Sequence, residues 1–109
     1  RALVQQAKLL IMDEPTASLD YGNQYLVLEQ VKQLSQRGYS VLLSTHNPQH
    51  ALTFADRLLA LEGHRVAALG PCRQAMTPAL LERLYHMEAR IVETEQGPVL
   101  LPLRRKETP

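Results

Sequence analysis

Two short apolar runs, separated by one amphipathic segment, constrain the fold of this chain more than any other feature. Leu9 to Met12 is apolar throughout, and a second run of high β propensity extends from Tyr39 to Thr45. Between them, apolar residues recur at the spacing of one helix face, and a glycine follows as a stop: Tyr25, Leu28, Val31, Leu34 and Gly38. A strand, helix and strand joined in this way form a βαβ unit with parallel strands. Because parallel sheets are covered on both faces, we predict an α/β fold in which Leu9–Met12 is buried on both sides.

The remainder of the chain predicts shorter elements. Residues 1–8 resemble the end of a helix, which suggests that the chain is the C-terminal part of a longer domain. Cys72, after a proline, is predicted to lie in a loop. The other predicted elements are a helix from Asn47, a hairpin over 56–70, a helix from Thr77, two short strands over 88–103 and a frayed polar tail over 104–109.

Composition excludes several classes of function. The chain has 109 residues and a formal net charge of +1, so it lacks the basic surplus of a nucleic-acid-binding domain. Its longest apolar run is far below the roughly 20 residues of a membrane-spanning helix, so we expect no span. With one cysteine it can form no internal disulfide.

Charged side chains follow both predicted strands. Asp13 and Glu14 come directly after the first run, and His46 follows the second. In parallel sheets, ligands bind beyond the carboxyl ends of the strands, so these groups are candidates for one site. Carboxylates can hold Mg²⁺ and deprotonate water, and an imidazole can contact a phosphate. Two plainer interpretations remain open from these residues alone: the acids can open a turn, and the histidine can be a packing residue.

The two motifs also resemble a known family. "LLIMDEPTASLD" is similar to the Walker B strand, catalytic glutamate and D-loop of ATP-binding-cassette (ABC) ATPases, and "VLLSTHNP" is similar to their switch-histidine segment. The resemblance implies that Asp13 holds Mg²⁺ through water, that Glu14 is the general base, and that His46 contacts the γ-phosphate of ATP. It also implies that the D-loop faces a second ATPase subunit of a homodimer; the loop residues are Ser18, Leu19 and Asp20.

The resemblance extends to organisation and partners. It implies a partial P-loop NTPase domain, a mostly parallel sheet with flanking helices and a C-terminal hairpin and helix extension. The segment over 76–103 is similar to the branch that serves iron–siderophore, haem and vitamin B12 importers. We therefore expect a peripheral ATPase on the cytoplasmic face of a membrane, bound to transmembrane permease subunits, with ATP and Mg²⁺ as cofactors and without nucleic acid.

Several family motifs do not occur in this sequence. It contains no G-x-x-x-x-G-K-[ST] loop, Q-loop or "LSGGQ" signature, which in the family all precede the position of Arg1. The chain by itself is therefore expected to be inactive. Two alternatives are a soluble ABC ATPase of DNA repair or translation, and a truncated interaction module whose exposed apolar surfaces favour self-association.

Overall fold

The computed structural model describes residues 8–106, which form two compact units, residues 8–46 and residues 47–106. The helix end predicted before residue 8 and the last residues of the predicted tail lie outside the described residues. Among the described helices, none is long and apolar enough to span a membrane.

The first unit is a single βαβ element. Strand β1 is Leu9–Met12, helix α1 is Tyr21–Gln36 and strand β2 is Ser40–Leu43. The two strands pair in parallel, from Leu9 opposite Ser40 to Met12 opposite Leu43. The parallel pairing confirms the prediction from the two apolar runs.

The prediction that β1 is buried on both faces is wrong. Leu9 is 61% exposed and Ile11 is 71% exposed, and Leu42 on β2 is 55% exposed on the same face. The alternate residues, Leu10 and Met12 among them, are half-buried. Because a two-stranded sheet with one described helix has too little structure to cover both sides, one apolar face is left open to solvent.

The second unit combines helices with two antiparallel hairpins. Its elements, in chain order, are α2 Pro48–Phe54, β3 Arg57–Glu62, β4 Arg65–Pro71, α3 Cys72–Ala75, α4 Pro78–Tyr85, β5 Met87–Thr94 and β6 Gly97–Arg105. β3 pairs with β4 and β5 pairs with β6. The α/β class is thus as predicted, and within residues 8–106 the parallel pairing is confined to β1 and β2.

The two longer helices of this unit begin where the sequence predicted. The Asn47 side chain accepts hydrogen bonds from the backbone N–H groups of Gln49 and His50, and Thr77 accepts one from Leu80. A proline follows each of these N-cap residues and occupies the first turn.

The hydrophobic core of the molecule lies in the second unit. Its buried members come from α2, α3 and the residue after it, α4 and β5, and are Ala51, Leu52, Cys72, Met76, Leu81 and Ala89. The Gln49 side chain connects α2 to β6 by two hydrogen bonds. Its Nε2 donates to the Pro98 carbonyl (3.2 Å) and its Oε1 accepts from the Leu100 N–H (2.7 Å). A side-chain amide that satisfies strand backbone in this way fixes the helix against the hairpin.

Two predictions for this unit are wrong. Cys72 begins helix α3 and is 2% exposed, with its thiol donating to the Ala51 carbonyl at 3.3 Å. Burial raises the pKa of the Cys72 thiol, and the nearby Arg73 charge opposes that rise. The predicted frayed tail is instead ordered at its start, because Arg104 and Arg105 belong to β6 and Lys106 pairs with Glu82 at 2.9 Å. Propensity alone did not reveal that this strand continues past Leu103.

Candidate functional site

The candidate site lies at the carboxyl edge of the parallel strand pair. The pairing continues one step beyond the strands, since the Ser44 N–H donates to the Met12 carbonyl at 3.1 Å. This bond keeps the segment after β2 beside the segment after β1. Asp13 and Glu14 on one side and His46 on the other are thereby brought to the same edge, as the topology predicted.

Glu14 and His46 are in direct contact. His46 Nε2 lies 3.3 Å from Glu14 Oε1, and the two side chains are 86% and 41% exposed. A contact this open to solvent adds little to stability, because water screens the charges and two side chains must be held in place. The contact therefore matters less for the stability of the fold than for the reactions that the two side chains can support.

The backbone at Glu14 adopts an uncommon conformation. Its φ is 44°, in the left-handed region that non-glycine residues seldom occupy. A turn holds it there: the Ala17 N–H donates to the Glu14 carbonyl at 3.0 Å, and Thr16 inside the turn is 8% exposed. Such conformations cost on the order of 1–3 kcal/mol and are concentrated at functional sites. The turn directs the glutamate side chain toward His46 instead of continuing the strand.

Ser44 links the two acids and was not among the predicted site residues. Its hydroxyl donates to Asp13 Oδ1 at 2.6 Å and accepts the Glu14 N–H at 3.0 Å. The sequence signal that could have identified it is a hydroxyl residue placed directly after the second strand, where its neighbour across the sheet is the acid pair.

The predicted D-loop residues lie in the turns that lead into α1. Ser18 has a φ of 69°, and Leu19 donates its N–H to the Thr16 carbonyl at 3.2 Å. Asp20 is the N-cap of α1: its Oδ1 accepts the Asn23 N–H at 2.9 Å and its Oδ2 accepts the Asn23 amide at 3.1 Å. All three residues are exposed, and the Asp20 carboxylate is engaged with its own helix.

The oxygen donors at this edge suit a hard cation. Asp13 is exposed, and the Ser44 hydroxyl occupies Oδ1, which leaves Oδ2 for a water-coordinated Mg²⁺. Residues 8–106 contain no group of three or more His, Cys, Asp or Glu side chains that could hold a metal without further ligands. Asp13 is the side chain at this edge that could hold such an ion.

A family model and several known proteins match this chain in sequence. A family model described as "AAA domain, putative AbiEii toxin, Type IV TA system" matches residues 2–50, a range that includes the strand pair and the site. An ABC transporter ATP-binding protein of Haemophilus influenzae is 42% identical over 84% of this chain and 35% of its own length. The hemin import ATP-binding protein HmuV of Pseudoalteromonas translucida is 43% identical over 75% of this chain and 31% of its own.

A solved structure extends the match to the fold. A structure described as "An inward-facing conformation of a putative metal-chelate type ABC transporter" superposes with a TM-score of 0.77 at 29% identity, over 88% of this chain and 40% of the other. The chain spans about a third of the length of the curated relatives it matches. By sequence and by fold, this chain corresponds to a segment of the ATP-binding proteins of ABC transporters.

Proposed function

We propose that this chain is the C-terminal part of the nucleotide-binding domain of an ABC importer and carries the catalytic edge of its ATPase site. The observation that carries the proposal is the 3.3 Å contact between His46 Nε2 and Glu14 Oε1 at the carboxyl edge of a parallel strand pair. The stretch that contains both residues is the one with the most specific family resemblance. The similarity to ATP-binding proteins of ABC transporters over most of the chain, one of them named for hemin import, supports the same conclusion.

The proposed reaction is hydrolysis of the terminal phosphoanhydride bond of ATP. The Glu14 carboxylate takes a proton from a water molecule, whose oxygen attacks the γ-phosphorus. The bond from that phosphorus to the β–γ bridging oxygen breaks, and ADP and inorganic phosphate leave. His46, which already contacts Glu14, would donate a hydrogen bond to a γ-phosphate oxygen and hold the water between acid and phosphate.

Asp13 is the residue that would hold the metal ion. A bound Mg²⁺ supplies positive charge that stabilises the phosphate oxygens during transfer. Asp13 fits this role because it is exposed, adjacent to the base and oriented by a hydroxyl. The phosphate-binding loop would come from the part of the longer protein that this sequence does not include.

The proposed partners follow from the same assignment. A second copy of the ATPase would face Ser18 and Asp20, and transmembrane permease subunits would bind the ATPase at the cytoplasmic face of the membrane. Hemin import by one relative and metal-chelate transport by the matched structure make an iron chelate or related cofactor the proposed cargo.

An ABC ATPase that works without a permease is the second candidate. The family model that matches residues 2–50 is not described as a transporter, and it covers the site while leaving most of the second unit unmatched. The two ABC transporter proteins match 84% and 75% of the chain, so both matches extend into the second unit, and the second of these proteins is named for hemin import. We therefore favour the importer.

Turnover of the full-length protein tests the assignment. Glu14→Gln and His46→Ala should each lower the rate of ATP hydrolysis by roughly 10²–10⁴-fold, because a proton acceptor or its orienting partner is lost. Binding of ATP, measured with a fluorescent analogue, should persist in both variants. Glu62→Gln, in the hairpin of the second unit, is the matched control and should retain turnover. Near-normal turnover of either site variant would contradict the role given to that residue.

The permease assignment needs a separate measurement. Reconstitution with the permease subunits in lipid should raise ATP hydrolysis, and uptake of an iron chelate should cease with Glu14→Gln. An ATPase that is active but indifferent to every such permease would favour the second candidate.

A further inference from the structure

We propose that Ser44 is a positioning residue that holds the metal-binding acid and the general base in one arrangement. The inference rests on the proposed function, since it concerns the relative placement of Asp13 and Glu14. It goes beyond that proposal by assigning a role to a hydroxyl that the motif resemblance does not identify.

The direction of both hydrogen bonds follows from the chemistry of the groups. An ionised carboxylate can only accept and a backbone N–H can only donate, so the hydroxyl donates to Asp13 and accepts from Glu14. The distances are 2.6 Å to Asp13 Oδ1 and 3.0 Å to the Glu14 nitrogen. One hydroxyl thereby fixes the rotamer of one acid and the backbone of the other.

The position of the hydroxyl is itself fixed by the sheet. Ser44 N–H donates to the Met12 carbonyl at 3.1 Å, one step beyond the parallel pairing of Met12 with Leu43. Met12 is the residue directly before Asp13. The side chain of Ser44 is therefore held in register with the acids by the strand that carries them.

The strained backbone at Glu14 explains why hydrogen bonds are needed to hold this residue in place. With a φ of 44°, Glu14 lies in a region that relaxes readily unless surrounding bonds hold it. Its carbonyl is held by Ala17 and its N–H by Ser44. Loss of the Ser44 bond leaves the Glu14 backbone held at its carbonyl only, and the base can then turn away from His46.

An isosteric pair of variants isolates the hydroxyl. Ser44→Thr keeps the hydroxyl, whereas Ser44→Val has the same shape as threonine without it. Ser44 is exposed, so neither change introduces a buried cavity or clash. Ser40, exposed at the start of the strand that precedes Ser44, is the control position, tested as Ser40→Val.

In the full-length protein, Ser44→Val should lower kcat at least about tenfold while KM for ATP stays within about twofold, because placement in the transition state is lost and binding is not. Ser44→Thr should restore most of kcat, and Ser40→Val should not change it. The Mg²⁺ concentration for half-maximal nucleotide binding should rise in Ser44→Val and remain normal in Ser44→Thr. A loss of stability alone would not produce this division between the two variants.

A second measurement needs no activity. In the 109-residue chain, amide hydrogen exchange at Glu14 should be faster in Ser44→Val than in Ser44→Thr, while exchange in helix α1 is unchanged. Equal exchange at Glu14 in the two variants would overturn the positioning role proposed for Ser44.

The outcomes separate this inference from the function on which it rests. If Glu14→Gln abolishes turnover and Ser44→Val matches Ser44→Thr in kcat, the role of Ser44 is wrong and the ATPase assignment stands. If Glu14→Gln retains near-normal turnover, both are wrong.

Discussion

One of the two units of this chain contains the buried core, and the other contains the candidate site. The second unit buries a core that includes Cys72, Met76 and Leu81, each 5% exposed or less. The first unit buries Leu28 but leaves Leu9 and Ile11 on an open apolar face. The candidate chemistry, by contrast, lies entirely in the first unit, at the edge where Glu14 meets His46.

This contrast shows how a site can be built where packing is sparse. The acids are positioned by backbone pairing and by a hydroxyl, not by a surrounding core. Such bonds leave the two acids open to the proposed ligand and to the proposed second subunit. They can also hold a residue with a strained backbone such as Glu14, because other interactions of the fold offset the conformational free energy of the strain.

The largest expected effect concerns ATP hydrolysis by the 109-residue chain without the rest of the proposed nucleotide-binding domain. The 109-residue chain has the acids and the histidine but no G-x-x-x-x-G-K-[ST] loop to bind phosphate. We expect no ATP hydrolysis by the isolated chain above the level of its own Glu14→Gln variant, measured as phosphate release. Turnover above that control would mean that the edge can bind nucleotide without the loop.

Stability should show the opposite asymmetry. Leu81, in the core of the second unit, is 2% exposed, whereas Leu42 on the open face of the first is 55% exposed. Leu81→Ala should destabilise the chain by about 2–5 kcal/mol because it leaves a cavity. Leu42→Ala should cost only about 0.5 kcal/mol, as is usual for surface positions.

Urea unfolding followed by circular dichroism, with amide exchange to assign the loss to a unit, would measure both changes. A Leu42→Ala cost equal to that of Leu81→Ala would show that another copy or segment covers the open face in solution. Sedimentation of the wild-type chain would then distinguish self-association from a monomer.

The local parts of the fold were predictable from sequence because they depend on local chemistry. Asn47 and Thr77 cap their helices as expected, since a side-chain oxygen can satisfy free N–H groups of a first turn. The parallel pairing followed from two apolar runs and a long connection between them. Convergence of Glu14 and His46 followed from that pairing.

The features that were missed depend on contacts distant in sequence. Ser44 reaches Asp13 across the strand pair, so its position after the second strand becomes informative only once the pairing with the first is considered. Cys72 is buried in a cluster that also includes residues of α2 and α4, which the proline before it did not indicate. The burial of Leu9 was overestimated because an apolar strand indicates a surface that can be covered, not whether the described structure covers it.

A smaller effect is expected where the first unit depends on a helix cap. Asp20→Ala removes the acceptor for the Asn23 N–H and should cost about 1 kcal/mol of stability. Asp20→Asn keeps an acceptor oxygen and removes only the charge, so it should cost much less. Amide exchange in the first turn of α1 would report the difference. If the alanine variant exchanges no faster than the asparagine variant, the cap does not stabilise this helix.

The smallest effect concerns pH and belongs to the second unit. His50 in α2 is 4% exposed, and burial lowers its pKa below the usual 6.5. Between that lowered value and about 6.5 the unfolded chain binds more protons than the folded one, so folding stability rises with pH in this window. Conversely, stability should fall as the pH drops below about 6.5, until the folded-state pKa is reached.

Urea midpoints measured from pH 7.5 downward in the wild type and in His50→Gln would test this dependence. His50→Gln should remove the change of stability with pH that His50 causes, even if the variant is less stable at every pH. His64→Gln, in the turn between β3 and β4, should keep that pH dependence. Because the protonation of a buried histidine opposes packing, the pH response should come from the unit with the core. If the pH dependence of stability is unchanged in His50→Gln, other groups cause it. The claim that the unit with the core gives rise to the pH dependence would then lose its support.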